Sequence, residues 1–202
     1  MGEIKSALEK ALERVSGIKA EKSKVTDKNI TDEGRRSAFR YIENDGITPE
    51  EITGKIKEYQ TPDGNRFIEG IVTVICANLV MPENSSYSTE RIGRIGELGL
   101  MCAGNRDFAP YLKEIFDQIG GFFDQYSSNK EELKRALLQQ IEPQLREKRA
   151  ALAEKLGTEV EISPEEDPDF RKALKKANQD LLNQYEQVLQ EIRNEIRSKL
   201  LS

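Results

Sequence analysis

The C-terminal third of the chain repeats apolar residues at helical spacing on both sides of a short break. Before the break these residues are Leu133, Leu137, Ile141, Leu145, Leu152 and Leu156, and after it they are Phe170, Leu174, Ala177, Leu181, Tyr185, Val188, Ile192, Ile196 and Leu200. Such spacing is typical of amphipathic α-helices. Ser128 is a typical residue for the start of a helix, and Gly157 is typical of the position just after a helix ends. Asp167 is in turn typical of the start of the following helix. The pattern predicts a long antiparallel helical hairpin over residues 128–202.

The same spacing gives an expected register for this hairpin. Leu156 is expected to face Phe170. In that register Ile141 faces Tyr185, and the hairpin turns at Ser163. The apolar steps of the second helix are longer than the 3.5 residues of a left-handed coiled coil, so the apolar stripe is broad. We therefore expect a hairpin packed on the rest of the chain rather than a free coiled-coil arm, with one end that projects or meets a second copy.

The rest of the chain also has helical patterns separated by turn residues, so the predicted fold class is all-α. Residues 1–30 are expected to form an amphipathic helix followed by a charged segment that is a solvated linker or a helix extension, with a basic tether for an acidic partner as the alternative. Residues 31–127 are expected to form a compact helical domain whose first helix begins at Thr31. Within it, Thr48 begins a helix with a capping box and a proline in the first turn.

The most apolar stretch, residues 67–80, is compatible with two structures. Its many β-branched residues are typical of a strand. However, Ile68, Ile71, Val72 and Ile75 follow the spacing of one helix face. This spacing favours a buried helix, which we expect to be the central core element of the compact domain.

Glycine recurs every third residue in the helix predicted to begin at Ser88. Gly93, Gly96 and Gly99 each weaken a helix by about 1 kcal/mol, so their presence requires a reason. A close approach of another helix backbone is the expected reason. The alternative is a ligand or partner that lies flat on this face of the helix.

Proline, glycine and asparagine mark further expected boundaries. Pro143 lies inside the first hairpin helix and is expected either to kink it or to split it. Gly120 and Gly121 interrupt the aromatic-rich helix predicted before the hairpin. Asn65 and Asn105 each follow a glycine, so each is expected to cap the start of a helix.

Composition narrows the chemistry that the chain can perform. The chain has no histidine, which removes the commonest general base and excludes serine–histidine and cysteine–histidine catalysis. Cys76 and Cys102 lack metal or redox spacing and lie in apolar helical patterns. We expect them to be buried, reduced thiols, with a redox pair as the alternative. No catalytic, cofactor-binding or metal-binding residue is predicted.

Charge and hydropathy set expectations about partners and location. The net charge is −5, and residues 128–202 carry fourteen basic and fifteen acidic side chains. No segment has the basic excess of a nucleic-acid surface. No stretch is apolar enough to cross a bilayer, and residues 1–15 lack the apolar core of a signal peptide. We therefore expect a cytoplasmic protein that binds neither nucleic acid nor membrane.

Two hypotheses for function follow, from different classes. The first is a protein-interaction or scaffold role, in which the hairpin binds a protein partner or a second copy to form a homodimer. The second is a small-molecule binder, or an enzyme that works without histidine, with a site near the glycine-rich helix at 88–103. The candidate side chains of this second site are Arg91, Arg94, Arg106, Glu97 and Asp107. The lack of a catalytic constellation favours the first hypothesis and a protein that is not an enzyme.

Overall fold

The computed structural model describes residues 26–61, 64–82, 87–158, 161 and 163–202, most of them helical. In chain order the helices are α1 (26–42), α2 (Pro49–Glu58), α3 (Arg66–Asn78), α4 (Thr89–Ala103), α5 (Ala109–Leu156) and α6 (Pro168–Leu201), with a 3-10 helix at Pro164–Glu166. This confirms the all-α class. The amphipathic helix predicted before residue 26 lies outside the described residues. None of the described helices combines the length and the apolar character needed to cross a membrane.

Local capping explains several helix starts. The Thr48 hydroxyl accepts a hydrogen bond from the backbone of Glu51, whose carboxylate accepts one from the backbone of Thr48, so the predicted capping box is confirmed. Asn65 caps α3 with its side-chain oxygen. Its amide nitrogen donates to the carbonyl of Ile56 at 2.6 Å, which ties α2 to α3. Asp167 caps α6 in the predicted place.

Three other predicted starts are wrong. Thr31 lies inside α1, where its hydroxyl donates to a carbonyl one turn earlier. Ser128 lies inside α5, so the segment boundary predicted at this residue falls within a helix. Asn105 lies in a turn, and α5 begins only at Ala109. A capping residue favours a helix start, but it does not impose one where the residues on both sides also favour helix.

The chain forms two compact units. The first comprises the described residues up to Leu79 together with Glu90–Glu114 and Arg193–Ser202, and the second comprises Val80–Thr89 and Ile115–Ile192. The core of the first unit is centred on α3. The buried residues of α3 are Phe67, Ile68, Gly70, Ile71, Val72, Ile75 and Cys76. The expected buried helix over the 67–80 stretch is therefore confirmed, and a strand is excluded there.

Helices α1 and α3 approach each other most closely at two glycines. A Cβ atom at Gly34 would lie 2.1 Å from the carbonyl oxygen of Phe67. A Cβ atom at Gly70 would lie 2.1 Å from the carbonyl oxygen of Thr31. Both distances are far below van der Waals contact, so glycine alone fits at these positions. The close approach expected in the glycine-rich α4 is not found at Gly93, where a Cβ would meet nothing within 4 Å.

In the second unit α5 and α6 pack together in opposite directions. Near the start of α6, Phe170 is buried with Ile141 and Leu145 of α5. Farther along α6, the ring centroid of Tyr185 lies 5.1 Å from that of Tyr126. The contacts move towards the start of α5 as α6 proceeds, so the two helices are antiparallel over this segment.

The register of this pair differs from the expected one by about four helical turns. In the expected register Phe170 faces Leu156, but its buried neighbours are Ile141 and Leu145, and Leu156 is 62% exposed. Tyr185 shifts by the same amount, because its neighbour is Tyr126 rather than Ile141. Helical periodicity fixes which face each helix presents, but it does not fix how far the helices slide by whole turns.

Helix α5 continues through the glycines and the proline that were expected to interrupt it. Gly120 lies inside the helix, and its carbonyl accepts a hydrogen bond from the hydroxyl of Tyr87 at 2.9 Å. Pro143 also lies inside it, so the first long helix is not split. Proline has no N–H, which leaves the carbonyl of Gln139 without its usual donor one turn earlier. Gln139 is exposed, so water can bind that carbonyl.

Candidate interaction surface

The α5–α6 pair of the second unit buries few side chains completely. Between 128–156 of α5 and 168–185 of α6, the buried apolar side chains are Ile141, Leu145 and Phe170. Two helices cover only the sides that they turn to each other, so neighbouring apolar groups stay partly open. Six leucines along the pair are half-buried, and we call them the hairpin face: Leu133, Leu137 and Leu138 of α5, and Leu174, Leu181 and Leu182 of α6.

Asn178 interrupts the apolar stripe of α6 one turn after Leu174 and one turn before Leu182. The residue is half-buried, and its side-chain oxygen is buried and accepts no hydrogen bond from the described residues. A buried polar atom without a partner costs about 1–3 kcal/mol. A single asparagine in an apolar helix stripe can specify register and partner at a cost in stability. Asn178 is therefore a candidate specificity residue of the hairpin face, and sequence reasoning missed it.

Basic side chains are clustered near the start of α6. Four of them follow Asp169, and all four are exposed: Arg171, Lys172, Lys175 and Lys176. The rest of α6 carries both signs, with acidic residues at Asp180, Glu186, Glu191 and Glu195 and basic residues at Arg193, Arg197 and Lys199. Within the part of the chain that the structure describes, the four basic residues form no ion pair. Like charges four residues apart weaken a helix, and cations are unfavourable near its N-terminus. Summing charge over residues 128–202 hides this arrangement, because the two signs nearly cancel.

The start of α6 is held against α5 by an ion pair. The ammonium of Lys148 donates to a carboxylate oxygen of Asp167 at 2.6 Å and to one of Asp169 at 3.2 Å. The other oxygen of Asp167 accepts from the backbone N–H of Phe170 at 3.0 Å. The Lys148 ammonium, followed by this backbone N–H, lowers the pKa of Asp167. Asp167 therefore caps α6 and fixes its position along α5.

This lowered pKa predicts an acid-sensitive contribution to stability. Because the folded pKa of Asp167 lies below its unfolded value of about 3.9, the contribution is present above that pH. It is lost as the pH falls through the folded pKa. We expect Asp167→Asn, which keeps the capping oxygen, to reduce the slope of unfolding free energy against pH below about pH 4. Urea unfolding at several acidic pH values measures this slope, and an unchanged slope would contradict the assignment.

Two arginines proposed for a ligand site instead connect helices of the first unit. Arg91 bonds to the side chains of Glu43 and Asn78, next to the ends of α1 and α3. Arg94 donates to the backbone carbonyl of Ile42 at 2.9 Å. These contacts tie α4 to α1 and α3.

The two acidic candidates also fail to converge on a site. Glu97 accepts a hydrogen bond of 2.5 Å from the hydroxyl of Tyr41 on α1. Burial, followed by this carboxylate, raises the pKa of Tyr41 to about 12, so the phenol remains a donor at neutral pH. Asp107 is exposed in the turn before α5. Within the described ranges, no group of three or more acidic or cysteine side chains is arranged to hold a metal ion.

Arg106, another of the candidates, lines a groove of the first unit. The groove has a volume of about 650 Å³ and lies among the ends of α2, α4 and α6 and the start of α3. The guanidinium donates to the carbonyls of Cys102 at 2.9 Å and Leu200 at 3.3 Å, and it lies 4.6 Å from the ring centroid of Phe108. Cations are favoured at helix C-termini. Arg106 thus joins the ends of α4 and α6, and the groove does not gather the candidate side chains.

A protein-family model matches the part of the chain that contains most of the helices described above. Residues 53–198, more than two thirds of the 202-residue chain, match the model described as Family of unknown function (DUF6657). The chain belongs to this family. No curated protein and no solved structure matches it. The DUF6657 region contains the whole hairpin face, Asn178 and the pair between Lys148 and Asp167, whereas α1 lies outside it.

Both cysteines of this DUF6657 protein are free and buried in the first unit. The thiol of Cys76 lies 3.6 Å from the backbone carbonyl of Arg193, to which it donates. Burial raises the pKa of both thiols, that of Cys102 to about 12. The expectation of buried, unpaired thiols is therefore confirmed.

Thiol reactivity tests this burial. A disulfide-exchange reagent attacks thiolates, and both Cys76 and Cys102 are shielded and protonated at neutral pH. We expect neither cysteine to react in the native protein and both to react in denaturant. A chromogenic reagent with mass spectrometry of the products measures this. Rapid labelling of either thiol in the folded protein would show that the first unit opens readily there.

The six tyrosines of this DUF6657 member are divided equally between the two units. In the first unit, hydroxyl groups donate from Tyr41 to Glu97, from Tyr59 to Glu33 and from Tyr111 to Glu195. In the second unit, Tyr87 donates to Gly120, Tyr185 accepts from Asn129, and Tyr126 is buried beside Tyr185. Each ring thus contacts a different segment of its own unit.

Proposed function

We propose that this DUF6657 protein acts in the cytoplasm as a protein-interaction or scaffold component, and that the hairpin face binds its protein partner. The observation that supports this most is the row of six half-buried leucines along the α5–α6 pair. Three of them, Leu137, Leu138 and Leu174, pack with one side on the buried cluster of Ile141, Leu145 and Phe170, and the rest of their apolar surface is open. A partner helix would cover these leucines and complete the core. The two free buried thiols support a reducing compartment.

The side-chain chemistry supports binding rather than catalysis. The chain has no histidine, and the charged side chains around α4 are already bonded to neighbouring helices or to backbone carbonyls. A histidine-independent enzyme needs several such groups turned into one concave site. We therefore propose a protein that is not an enzyme and whose specificity comes from packing.

Site-directed photo-crosslinking in intact cells tests this proposal. The photoreactive residue benzoylphenylalanine replaces Leu182 on the hairpin face in one variant. In the control variant it replaces Phe39 of the first unit, an apolar residue that is 55% exposed. We expect one discrete crosslinked polypeptide from position 182 and none from position 39. The adduct is expected to disappear when Leu174 is also replaced by glutamate, which puts a charge on the face.

The control position separates a specific surface from general adhesion. Equal crosslinking from positions 182 and 39 would mean that any exposed apolar group is labelled. No polypeptide adduct from position 182 would mean that the hairpin face binds no protein. Either result overturns the proposed function, provided that circular dichroism shows the helix content to be unchanged.

A further inference from the structure

A small pocket opens between α5 and α6 within the second unit, with a volume of about 170 Å³. Three apolar residues of its lining are covered to different degrees: Ile141 and Phe170 are buried, and Leu137 of the hairpin face is half-buried. Ala173 of α6 completes the apolar lining and is exposed. The pocket is therefore an open gap beside the small core of the helix pair.

The size of this pocket favours a single side chain over a small molecule as its occupant. An apolar cavity of about 150 Å³ lined by leucine, isoleucine and phenylalanine holds one benzene ring. Sites for drug-sized ligands are larger, about 300–1,000 Å³. The pocket thus matches one side chain of about the size of phenylalanine, presented by another polypeptide. Protein interfaces draw most of their binding energy from a few such anchors.

The polar groups around the opening carry little net charge of their own. Gln140 and Gln144 lie one turn apart on α5 and are exposed, and a carboxamide can both donate and accept hydrogen bonds. Asp169 on the α6 side already accepts a hydrogen bond of 3.2 Å from the ammonium of Lys148. The rim can therefore bond to polar groups that flank an apolar anchor, and its one carboxylate is neutralised.

Two lysines of α6 add positive charge beside the pocket. Lys172 follows Asp169 by three residues and Lys176 follows Ala173 by three, so each is a surface neighbour of a residue that lines the pocket. Both lysines are exposed, and neither forms an ion pair with another described residue, Asp180 on the next turn included. The group that complements this side of the pocket is therefore a carboxylate.

We propose that the pocket receives one large apolar side chain of the protein partner, and that an acidic residue beside this anchor pairs with Lys172 and Lys176. This inference rests on the proposed function and specifies the chemistry of the partner segment. The anchor would cover the open part of Leu137. The carboxylate would relieve the repulsion between two cations four residues apart on one helix.

Photo-crosslinking beside the pocket tests the apolar anchor. Benzoylphenylalanine replaces Glu147, which is exposed one turn beyond Gln144 and does not line the pocket. We expect an adduct with the polypeptide that position 182 captures. Adding Ala173→Phe should reduce this adduct by about tenfold or more, because the new ring occupies the pocket from within the chain.

Gln139→Phe is the matched control for the filled pocket. Gln139 is exposed on α5, two residues from both Leu137 and Ile141. Two residues correspond to more than half a helical turn, so the new ring points away from the pocket. The adduct from position 147 should stay within about twofold of its original yield.

Charge reversal on α6 tests the acidic residue of the partner. Lys172→Glu with Lys176→Glu should reduce the adduct from position 147 by about tenfold or more, because like charges then meet. Arg171→Glu with Lys175→Glu makes the same change in net charge on the same helix. Both of these residues are two positions from Ala173, on the far side of α6, so the adduct should stay within about twofold. Mass spectrometry should place a large apolar residue and an acidic residue next to each other in the captured segment.

Three results would overturn the pocket as a docking site: an adduct that Ala173→Phe leaves unchanged, equal losses from the two charge-reversed pairs, or a captured segment without a large apolar residue. Equal losses are also the result expected for a nucleic acid, whose phosphates attract all four cations alike. All the substituted side chains are exposed, so helix content, measured by circular dichroism, should stay unchanged. If position 182 still captures a polypeptide in any of these cases, the pocket fails and the proposed function stands.

Discussion

Gly70→Ala is expected to destabilise the first unit by about 3 kcal/mol or more. The new Cβ would lie 2.1 Å from the carbonyl oxygen of Thr31 in α1. The obstacle is backbone, which cannot rotate away as a flexible side chain can. The helices α1 and α3 must therefore move apart, and this would open the core around α3. Gly34→Ala, the reciprocal change on α1, is expected to behave in the same way.

Gly54→Ala is the matched control for this prediction. Gly54 lies in α2, and a Cβ there would meet nothing within 4 Å. Alanine has the higher helix propensity, so this change should stabilise the protein by about 0.5–1 kcal/mol. Urea unfolding followed by circular dichroism compares the two variants. If Gly70→Ala were as stable as the wild type, the close crossing of α1 and α3 would be excluded.

Phe170→Ala is expected to cost about 3–5 kcal/mol, because it removes the largest member of the small cluster between α5 and α6. Phe170 is 1% exposed and packs with Ile141 and Leu145. Leu137, Leu138 and Leu174 pack against the same cluster, so loss of the ring also removes the contacts that keep them partly buried. The loss should appear in the unfolding transition of the second unit, and amide hydrogen exchange in α6 measures it locally.

Leu156→Ala distinguishes the observed register from the one expected from sequence. In the expected register Leu156 packs on Phe170, so its truncation would cost several kcal/mol, as at any buried leucine. In the structure Leu156 is 62% exposed, and its truncation should change stability by less than about 0.5 kcal/mol. Equal losses from Leu156→Ala and Phe170→Ala would support the expected register and contradict the structure.

Local chemistry made much of the fold predictable. Thr48, Asn65 and Asp167 cap the helices that follow them because a side-chain oxygen can reach the free N–H groups of the first turn. The apolar spacing over residues 67–80 was enough to choose a buried helix over a strand. These signals act over a few residues and need no knowledge of distant contacts.

The features that sequence reasoning missed depend on distant partners. The helical spacing of the apolar residues in α5 and α6 was interpreted correctly. However, moving one helix along the other by about four turns keeps the same faces in contact and gives each residue different neighbours. Gly34 and Gly70 carry no local signal, because their importance comes from the helix that crosses them. Ser128 carries a strong local signal that the continuous α5 overrides.

The candidate surface was predictable in outline only. The leucines of the hairpin face were visible as a broad stripe, which indicated a helix with more than one neighbour. That they stay half-buried depends on how few of the described helices cover the pair, which the spacing does not reveal. The basic cluster at 171–176 is readable in the sequence, but it becomes visible only when the start of α6 is considered by itself.

The tyrosine contacts have a practical consequence for following the assembly of this protein. The chain has no tryptophan, so its near-ultraviolet signal comes chiefly from six phenol rings, three in each unit. Five of these rings are anchored through their hydroxyl groups. Selective isotope labelling of this one residue type would therefore report on the folding of both halves in a single spectrum, without an added fluorophore.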